Sequence, residues 1–166
     1  MSSVSFGNAI TTLGISAFVN CPISGTISIP TCQYIENNCF YCNSKLSSVV
    51  LNNCKTIGGS AFYSCSQLMT ISSASNCTGI YDSAFFSCPK ITSISFPACQ
   101  TISSYAFAKC TSISTAYIPK CKSIGNYAFS GCTSLTTVNI SGAETEIGAY
   151  AFYNCSKLTN ISFSAC

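Results

Sequence analysis

The sequence contains no histidine, arginine or tryptophan, and it has little charge of either sign. Only 7% of its 166 residues are charged, against about 25% in ordinary soluble proteins. Without histidine the usual general base is missing. The four acids are Glu36, Asp82, Glu144 and Glu146: the first two lie in distant segments and the last two in a predicted solvated loop. We therefore expect no catalytic residues and no enzymatic activity.

The cations and the apolar residues are both dispersed. Seven lysines give a net charge of +3, and only Lys120 and Lys122 lie close together. Nucleic-acid binding depends mainly on clustered cations, so we expect no nucleic-acid partner. No apolar run approaches the roughly 20 residues that span a bilayer, so we expect no membrane insertion. The opening MSSVSFGNAITTLG lacks the basic and apolar regions of a signal peptide. These features predict either a cytoplasmic protein or a mature fragment of an exported one.

What the sequence does contain is a repeat. Phenylalanine recurs at a nearly constant interval, and five positions before each one stands isoleucine or, once, leucine. Alanine precedes the phenylalanine in all but one copy, and cysteine follows three positions later in all but one, where Cys42 is displaced by one position. The repeated phenylalanines are Phe18, Phe40, Phe62, Phe85, Phe107, Phe129 and Phe152. A fixed period of this length predicts a solenoid in which each repeat forms one coil.

The second part of each repeat has the spacing L-x-x-L-x-L-x-x-C. From Leu135 the next apolar residues are Val138, Ile140 and Ala143, and in most other repeats the last position is cysteine, as at Cys166. This is the leucine-rich pattern, and its second and third apolar positions place two side chains on one face of a short strand. We therefore predict that strands of successive coils stack at about 4.8 Å into a parallel sheet.

The first part of each repeat is predicted to be the return path. Glycine after isoleucine suits a sharp bend, and Tyr-Ala-Phe is expected to form a short helical or 3-10 turn. The predicted fold is an α/β repeat: a right-handed leucine-rich-repeat solenoid with a parallel β-sheet on one side and short helical or 3-10 turns on the other. It forms a single domain over positions 1–166, with a partial unit at the N-terminus. It has about seven repeats of roughly 22–23 residues each, a length typical of this repeat class.

The fourteen cysteines allow three interpretations: disulfides, a metal site, or columns of buried thiols. The sequence CFYC, from Cys39 to Cys42, has no second pair at zinc-site spacing, so we expect neither a metal nor another cofactor. Recurrence at the solenoid period favours thiols packed as small apolar groups. One local disulfide that involves Cys39 or Cys42 is kept as an alternative. The residues predicted to stack in structural columns are Phe62, Phe85, Phe107, Phe129, Phe152, Cys54, Cys99 and Cys121.

The segment SIGNYAFSGCTSLTTVNI, residues 123–140, resembles the BspA-type leucine-rich repeat, also called the Treponema pallidum type, and the resemblance extends over residues 4–166. The resemblance implies a non-enzymatic binding or adhesion protein on the surface of a host-associated microbe, with host proteins among its ligands.

Exposed strand positions are rich in hydroxyl groups. They form the predicted binding surface for a protein or glycan ligand, and host molecules are among the expected ligands. Tyr117 would be its aromatic anchor, or else it simply covers its neighbours. The predicted binding residues are Ser72, Ser95, Thr115, Tyr117, Thr137 and Asn139.

We expect a recognition or adhesion scaffold located outside the cell or at its surface, with a cytoplasmic location as the alternative. The alternative function is structural. The partial unit VSFGNAI and the closing LTNISFSAC lack polar caps, and Ser2, Ser3 and Ser5 offer little cover. This predicts either a fragment of a longer array or subunits that associate end to end.

Overall fold

The computed structural model describes Val4, residues 6–141 and residues 144–163. The predicted column positions Ala143 and Cys166, and the serines at 2, 3 and 5, lie outside the described residues. Within them the chain winds into coils, each of which contributes one longer strand and one two-residue strand. The strands are β1 (Thr12–Leu13), β2 (Gly25–Ser28), β3 (Tyr34–Ile35), β4 (Leu46–Val50), β5 (Thr56–Ile57), β6 (Thr70–Ser72), β7 (Gly79–Ile80), β8 (Ser93–Ser95), β9 (Thr101–Ile102), β10 (Thr115–Tyr117), β11 (Ser123–Ile124), β12 (Thr137–Ile140), β13 (Glu146–Ile147) and β14 (Asn160–Phe163).

All strand pairs are parallel, and they match equivalent repeat positions except at Gly25, where the register between β2 and β4 shifts by one residue. The longer strands form a three-stranded sheet, β2-β4-β6, and a four-stranded sheet, β14-β12-β10-β8. In the latter, Ala116 pairs with Ile94 on one side and Val138 on the other. The two-residue strands form a seven-stranded sheet in chain order from β1 to β13, in which Ile35 pairs with Ile57. The molecule is therefore a parallel β-solenoid of about seven turns, as the repeat predicted.

The core is a set of columns that run along the solenoid. Rings of the repeated phenylalanines stack with centroids 5.1–5.4 Å apart and planes within 15° of parallel. Rings in offset stacks of this kind attract each other beyond their area burial. Isoleucines and leucines of both strand types pack around them, and most are fully buried in the interior coils, as Ile57 and Ile102 are. Each fixed residue of the repeat is therefore one member of a column.

The prediction of helical or 3-10 turns is wrong, because the described residues contain no α-helix and no 3-10 helix. Two residues in every coil adopt a left-handed backbone, one two positions before the repeated phenylalanine and one two positions after it. Around Phe107 they are Tyr105, with φ 59°, and Lys109, with φ 61°. A right-handed helix cannot continue through such residues, so this part of the coil is a series of turns.

Backbone hydrogen bonds on this turn side alternate between bonds to the next coil and short bonds within the same coil, such as the one from the Tyr63 N–H to the Ser60 carbonyl at 3.1 Å. The Phe62 N–H donates to the Ala84 carbonyl at 2.7 Å, and the Phe85 N–H donates to the Ala106 carbonyl at 2.8 Å. The same bond links Phe107 to Ala128 at 2.7 Å. Because buried backbone groups need partners, this ladder between coils takes the place of the predicted helix.

The glycine that follows isoleucine has a different role from the predicted bend. Gly125 does not have a positive φ, whereas Gly25 and Gly131 do. A Cβ at Gly125 would lie 2.5 Å from the backbone nitrogen of Ser104 in the preceding coil. Glycine is required at this position because two coils approach closely.

The longer strands are interrupted once along the solenoid. The interval from Phe62 to Phe85 is one position longer than the intervals on either side of it. Within this repeat Ser73 is left-handed with φ 57°, while Ala74 fills the core position. The three-stranded sheet ends at β6 and the four-stranded sheet begins at β8. The inserted residue therefore divides the longer-strand side into two halves.

Candidate ligand-binding surfaces

Five of the six predicted binding residues lie together on the four-stranded sheet. Thr115 and Tyr117 project from β10, and they pair in register with Thr137 and Asn139 of β12. Tyr117 also pairs with Ser95 of β8. We call this surface, formed by Ser95, Thr115, Tyr117, Thr137 and Asn139, the sheet face. Ser72 lies on β6, in the other sheet, so it belongs to a separate surface.

The sheet face is built from side chains that alternate with the core. In β10 the central Ala116 is fully buried, while Thr115 and Tyr117 on either side are exposed, Tyr117 by 46%. This is the period-two alternation of a strand with one buried face. The Asn139 side-chain oxygen accepts a hydrogen bond of 2.8 Å from the Ser162 hydroxyl, which fixes its orientation. The arrangement presents hydroxyl and amide groups around one accessible aromatic ring.

A second exposed surface was not predicted from the sequence. Tyr105, Tyr127 and Tyr150 stack on the turn side with centroids 5.0 Å apart, and Tyr153 meets Tyr150 edge-on at 5.9 Å. Tyr150 is 61% exposed. The signal is present in the sequence as the thrice-repeated triplet Tyr-Ala-Phe, but beside core residues this triplet indicates only a turn. We call these four residues the tyrosine row.

The surroundings of Tyr127, in the middle of the tyrosine row, favour its neutral phenol. Burial within the stack raises the pKa of Tyr127, and the neighbouring hydroxyls of Tyr105 and Tyr150 raise it further. Its hydroxyl therefore stays protonated at neutral pH and can donate a hydrogen bond as well as accept one.

A different aromatic stack occupies the first half of the turn side. Tyr41, Tyr63 and Phe86 stack at 4.8–4.9 Å, and the Lys109 ammonium lies 5.3 Å from the centre of the Phe86 ring. All three rings are half-buried. This stack is less exposed than the tyrosine row, in which Tyr105, Tyr150 and Tyr153 are exposed.

The cysteines form two columns, and all thirteen described ones are free thiols. In the first column each thiol from Cys65 onwards donates to the carbonyl of the repeated phenylalanine one coil before its own: Cys88 to Phe62 and Cys110 to Phe85, both at 3.0 Å. In the second column the thiol donates two positions ahead, as Cys54 does to Thr56 at 3.3 Å. Cysteine is thus used here as a small apolar side chain that also supplies a donor.

Burial favours the protonated thiol at several positions of the columns. It raises the pKa of Cys65, Cys99 and Cys110 to about 12 in each case. The thiolate is the form that attacks electrophiles and binds metals, so these three side chains stay in the unreactive form at neutral pH. Within the described residues, no three histidine, cysteine or acidic side chains are placed to hold a metal ion.

One repeat departs from the first thiol column. Asn43, and not Cys42, occupies the column position after Phe40, and its side-chain nitrogen donates to the Phe18 carbonyl at 2.6 Å. Asn43 is fully buried, and its side-chain oxygen has no partner among the described residues. Cys42, which the spacing predicts as a displaced member of the column, lies instead in the left-handed turn with φ 58°.

Asp82 has a structural partner. Its side-chain oxygen accepts a hydrogen bond of 3.0 Å from the Ser104 N–H in the next coil. Asn37 and Asn126 make the same contact with Gly59 and Ala149. The Asp82 carboxylate is therefore one of a series of links between coils.

In the described part of the chain, no helix is long and apolar enough to cross a bilayer.

The coil geometry defines a solenoid of the leucine-rich-repeat class, and comparison with known proteins identifies the family. Six copies of the BspA type leucine rich repeat region match the chain, over residues 1–114 and 100–166. The chain belongs to this family, which confirms the resemblance seen in the sequence. None of the curated proteins matches it.

Solved structures of bacterial leucine-rich-repeat proteins are similar to this chain. A leucine rich cell surface protein from Faecalibacterium prausnitzii A2-165 is 27% identical, with a TM-score of 0.88 over 98% of this chain and 48% of that one. The leucine rich repeat protein of Treponema pallidum is 21% identical, with a TM-score of 0.86 over 99% of this chain and 86% of that one. The pneumococcal vaccine antigen PcpA is 20% identical, with a TM-score of 0.68 over 97% of this chain and 50% of that one. The last two are similar in fold alone. The chain spans about half the length of the Faecalibacterium protein.

Proposed function

We propose that this chain is a non-enzymatic recognition module that acts at a cell surface and binds a protein or glycan ligand through its sheet face. Its family and its likeness to a leucine rich cell surface protein support the surface location. The same resemblance supports a scaffold role rather than catalysis.

The observation that carries the proposal is the placement of Tyr117. Its ring is 46% exposed and stands on a hydrogen-bonded strand between Ser95 and Asn139. Tyrosine is enriched among residues that dominate binding energies. Because the strands are already fixed by their neighbours, little conformational entropy is lost when a ligand binds.

The tyrosine row is a second candidate surface for the same function. Its exposed members Tyr105, Tyr150 and Tyr153 suit a protein partner, since tyrosine offers a large amphipathic contact area with few rotatable bonds. End-to-end self-association stays a prediction. Light scattering against concentration tests it, and growth into long species at high concentration is the result that supports it.

The test of the sheet face is a binding screen on immobilised extracellular-matrix proteins and mucin glycans, followed by variants measured against whichever component binds. We expect Tyr117→Ala to weaken binding at least tenfold, as for an interface anchor. Tyr81→Ala is the matched control, because Tyr81 is also 46% exposed but lies outside the sheet face. Equal effects of the two variants would contradict the proposal. A loss confined to the double variant Tyr105→Ala/Tyr127→Ala would assign binding to the tyrosine row.

A further inference from the structure

A polar groove runs along the corner where β2, β4 and β6 end and β3, β5 and β7 begin. Its volume is about 620 Å³, within the range of ligand sites. Every side chain that lines it carries an amide, a hydroxyl or an ammonium group. Six of them flank the corner cysteines of three successive coils: Thr31, Gln33, Asn53, Lys55, Asn76 and Thr78.

Several of these side chains are held in place before any ligand binds. Asn53 and Asn76 donate from their side-chain nitrogens to the backbone carbonyls of Pro30, at 2.5 Å, and Asn52, at 2.9 Å. The Thr31 hydroxyl donates to the Ile10 carbonyl at 2.9 Å. Each of these bonds reaches back to the preceding coil. An amide that uses one N–H in this way keeps an oxygen acceptor and a second N–H for a ligand.

Lys55 carries the one formal charge among the residues that line the groove. Its ammonium lies 5.9 Å from the centre of the Tyr34 ring, which orients it by cation–π attraction. The remaining lining groups are neutral donors and acceptors. A ligand that matches this set has many hydroxyl groups and a carboxylate.

The groove does not fit the usual ways of binding peptides, which use sheet edges, apolar grooves or aromatic-lined channels. Its polar groups instead recur with each coil, about every 4.8 Å along the solenoid. This is close to the length of one sugar ring in an extended chain, so successive coils can contact successive sugars.

The second half of the solenoid has the same corner but different side chains on it. At the positions of Asn53 and Asn76 the later coils have Ala98 and Lys120, while Gln100 and Lys122 follow their corner cysteines. The amide pair therefore belongs to the first half. The later corner supplies control residues in an equivalent position.

We propose that this groove binds an acidic oligosaccharide in an extended conformation, with Lys55 pairing with a sugar carboxylate and Asn53 and Asn76 bonding to sugar hydroxyls. This site is separate from the sheet face and does not depend on it.

The test uses the whole chain with two probes, a hyaluronan hexasaccharide, which carries carboxylates, and the neutral chitohexaose, in isothermal titration calorimetry. We expect the acidic hexasaccharide to bind at least tenfold more tightly than the neutral one. Lys55→Gln, an exposed change that leaves the fold intact, should remove that preference. The double variant Asn53→Ala/Asn76→Ala should weaken binding of both probes.

Lys122→Gln is the matched control and should leave binding of both probes unchanged, as should Tyr117→Ala on the sheet face. The proposal is overturned if neither hexasaccharide binds, if both bind equally, or if Lys122→Gln has the same effect as Lys55→Gln. Loss of binding in Tyr117→Ala alone would place the sugar on the sheet face and also overturn it.

Discussion

The two halves of the solenoid share a core but differ on their surfaces. The first half has the three-stranded sheet, the polar groove and a half-buried aromatic stack, whereas the second has the four-stranded sheet, Tyr117 and the tyrosine row. The phenylalanine column and the seven-stranded sheet pass through both halves without interruption. The fold therefore depends on the inner columns and the turn side, while the longer-strand side tolerates an inserted residue at Ser73.

The largest expected effect tests the thiol columns that both halves share. Burial raises the pKa of Cys65 in the first half and of Cys110 in the second to about 12, from an ordinary value near 9. The folded state therefore favours the protonated thiol. This stability is fully present below pH 9 and is lost as the pH rises towards 12. Each shift corresponds to about 4 kcal/mol, so urea titrations between pH 8 and pH 11 should show a steep fall in the free energy of unfolding.

Single replacements separate the contributions of the two halves. Cys65→Ala and Cys110→Ala should each make the alkaline loss of stability shallower by a similar amount. Cys42→Ala is the control, because Cys42 lies outside the column, and its slope should equal that of the wild type. A stability that does not change up to pH 11 would contradict the role of the columns.

The next effect tests the core continuity between the halves. Phe85 is fully buried and stacks at 5.1 Å on both Phe62 and Phe107. Phe85→Ala should cost about 3–5 kcal/mol, and the urea transition should separate into two steps because neighbouring coils lose their coupling. Phe18→Ala, at a half-buried ring, should cost less and keep a single step. A single unshifted transition in Phe85→Ala would show that the halves are not joined through this column.

A smaller effect concerns the irregular repeat of the first half. Asn43→Cys would restore the thiol column and remove the buried oxygen that has no partner among the described residues. We expect a gain of about 1–2 kcal/mol, since an unsatisfied buried polar group is costly. Asn43→Ala removes the oxygen but also the bond to Phe18, so it should gain less. Thermal unfolding measures both, and a lower melting temperature for Asn43→Cys would count against this account.

The smallest expected effect concerns the break between the three-stranded and the four-stranded sheet at Ser73. Deletion of Ser73 would return this repeat to the length of its neighbours and allow β6 to pair with β8. We expect a gain of about 1 kcal/mol, because a left-handed residue other than glycine is strained. Ser73→Gly relieves the strain without joining the sheets. A deletion variant no more stable than Ser73→Gly would mean that pairing of the two sheets adds nothing.

The repeat made most of the fold predictable. Phenylalanine, isoleucine and cysteine at fixed intervals specified the coil, the parallel strands and the columns, because stacked equivalent positions must share a chemistry. The turn side was not predictable in the same way. Its left-handed positions hold Ser, Asn, Cys, Tyr, Lys and Gly, so composition does not mark them, and their hydrogen bonds go to residues of the neighbouring coil.

The surfaces were predictable only where strand alternation exposes a residue. This rule placed Thr115, Tyr117 and Thr137 together on one sheet. It could not show that Ser72 lies on the other sheet, because the break after β6 depends on where the inserted residue is accommodated. The tyrosine row was missed because Tyr105 and its equivalents stand beside core residues in the sequence. The polar groove was missed because most of the residues that line it lie on either side of cysteines in three different coils.

The hydrogen bonds on the turn side have a consequence for how such a molecule can change its length. Alternate N–H groups on the turn side of each coil donate to carbonyls of the coil that follows, and the same bonds recur from coil to coil. Duplicating or losing an entire repeat keeps this turn-side ladder in register, whereas duplicating or losing a fragment of a repeat does not. Array length can therefore grow or shrink in whole units, and a new unit can acquire its own outer side chains without disturbing the old ones.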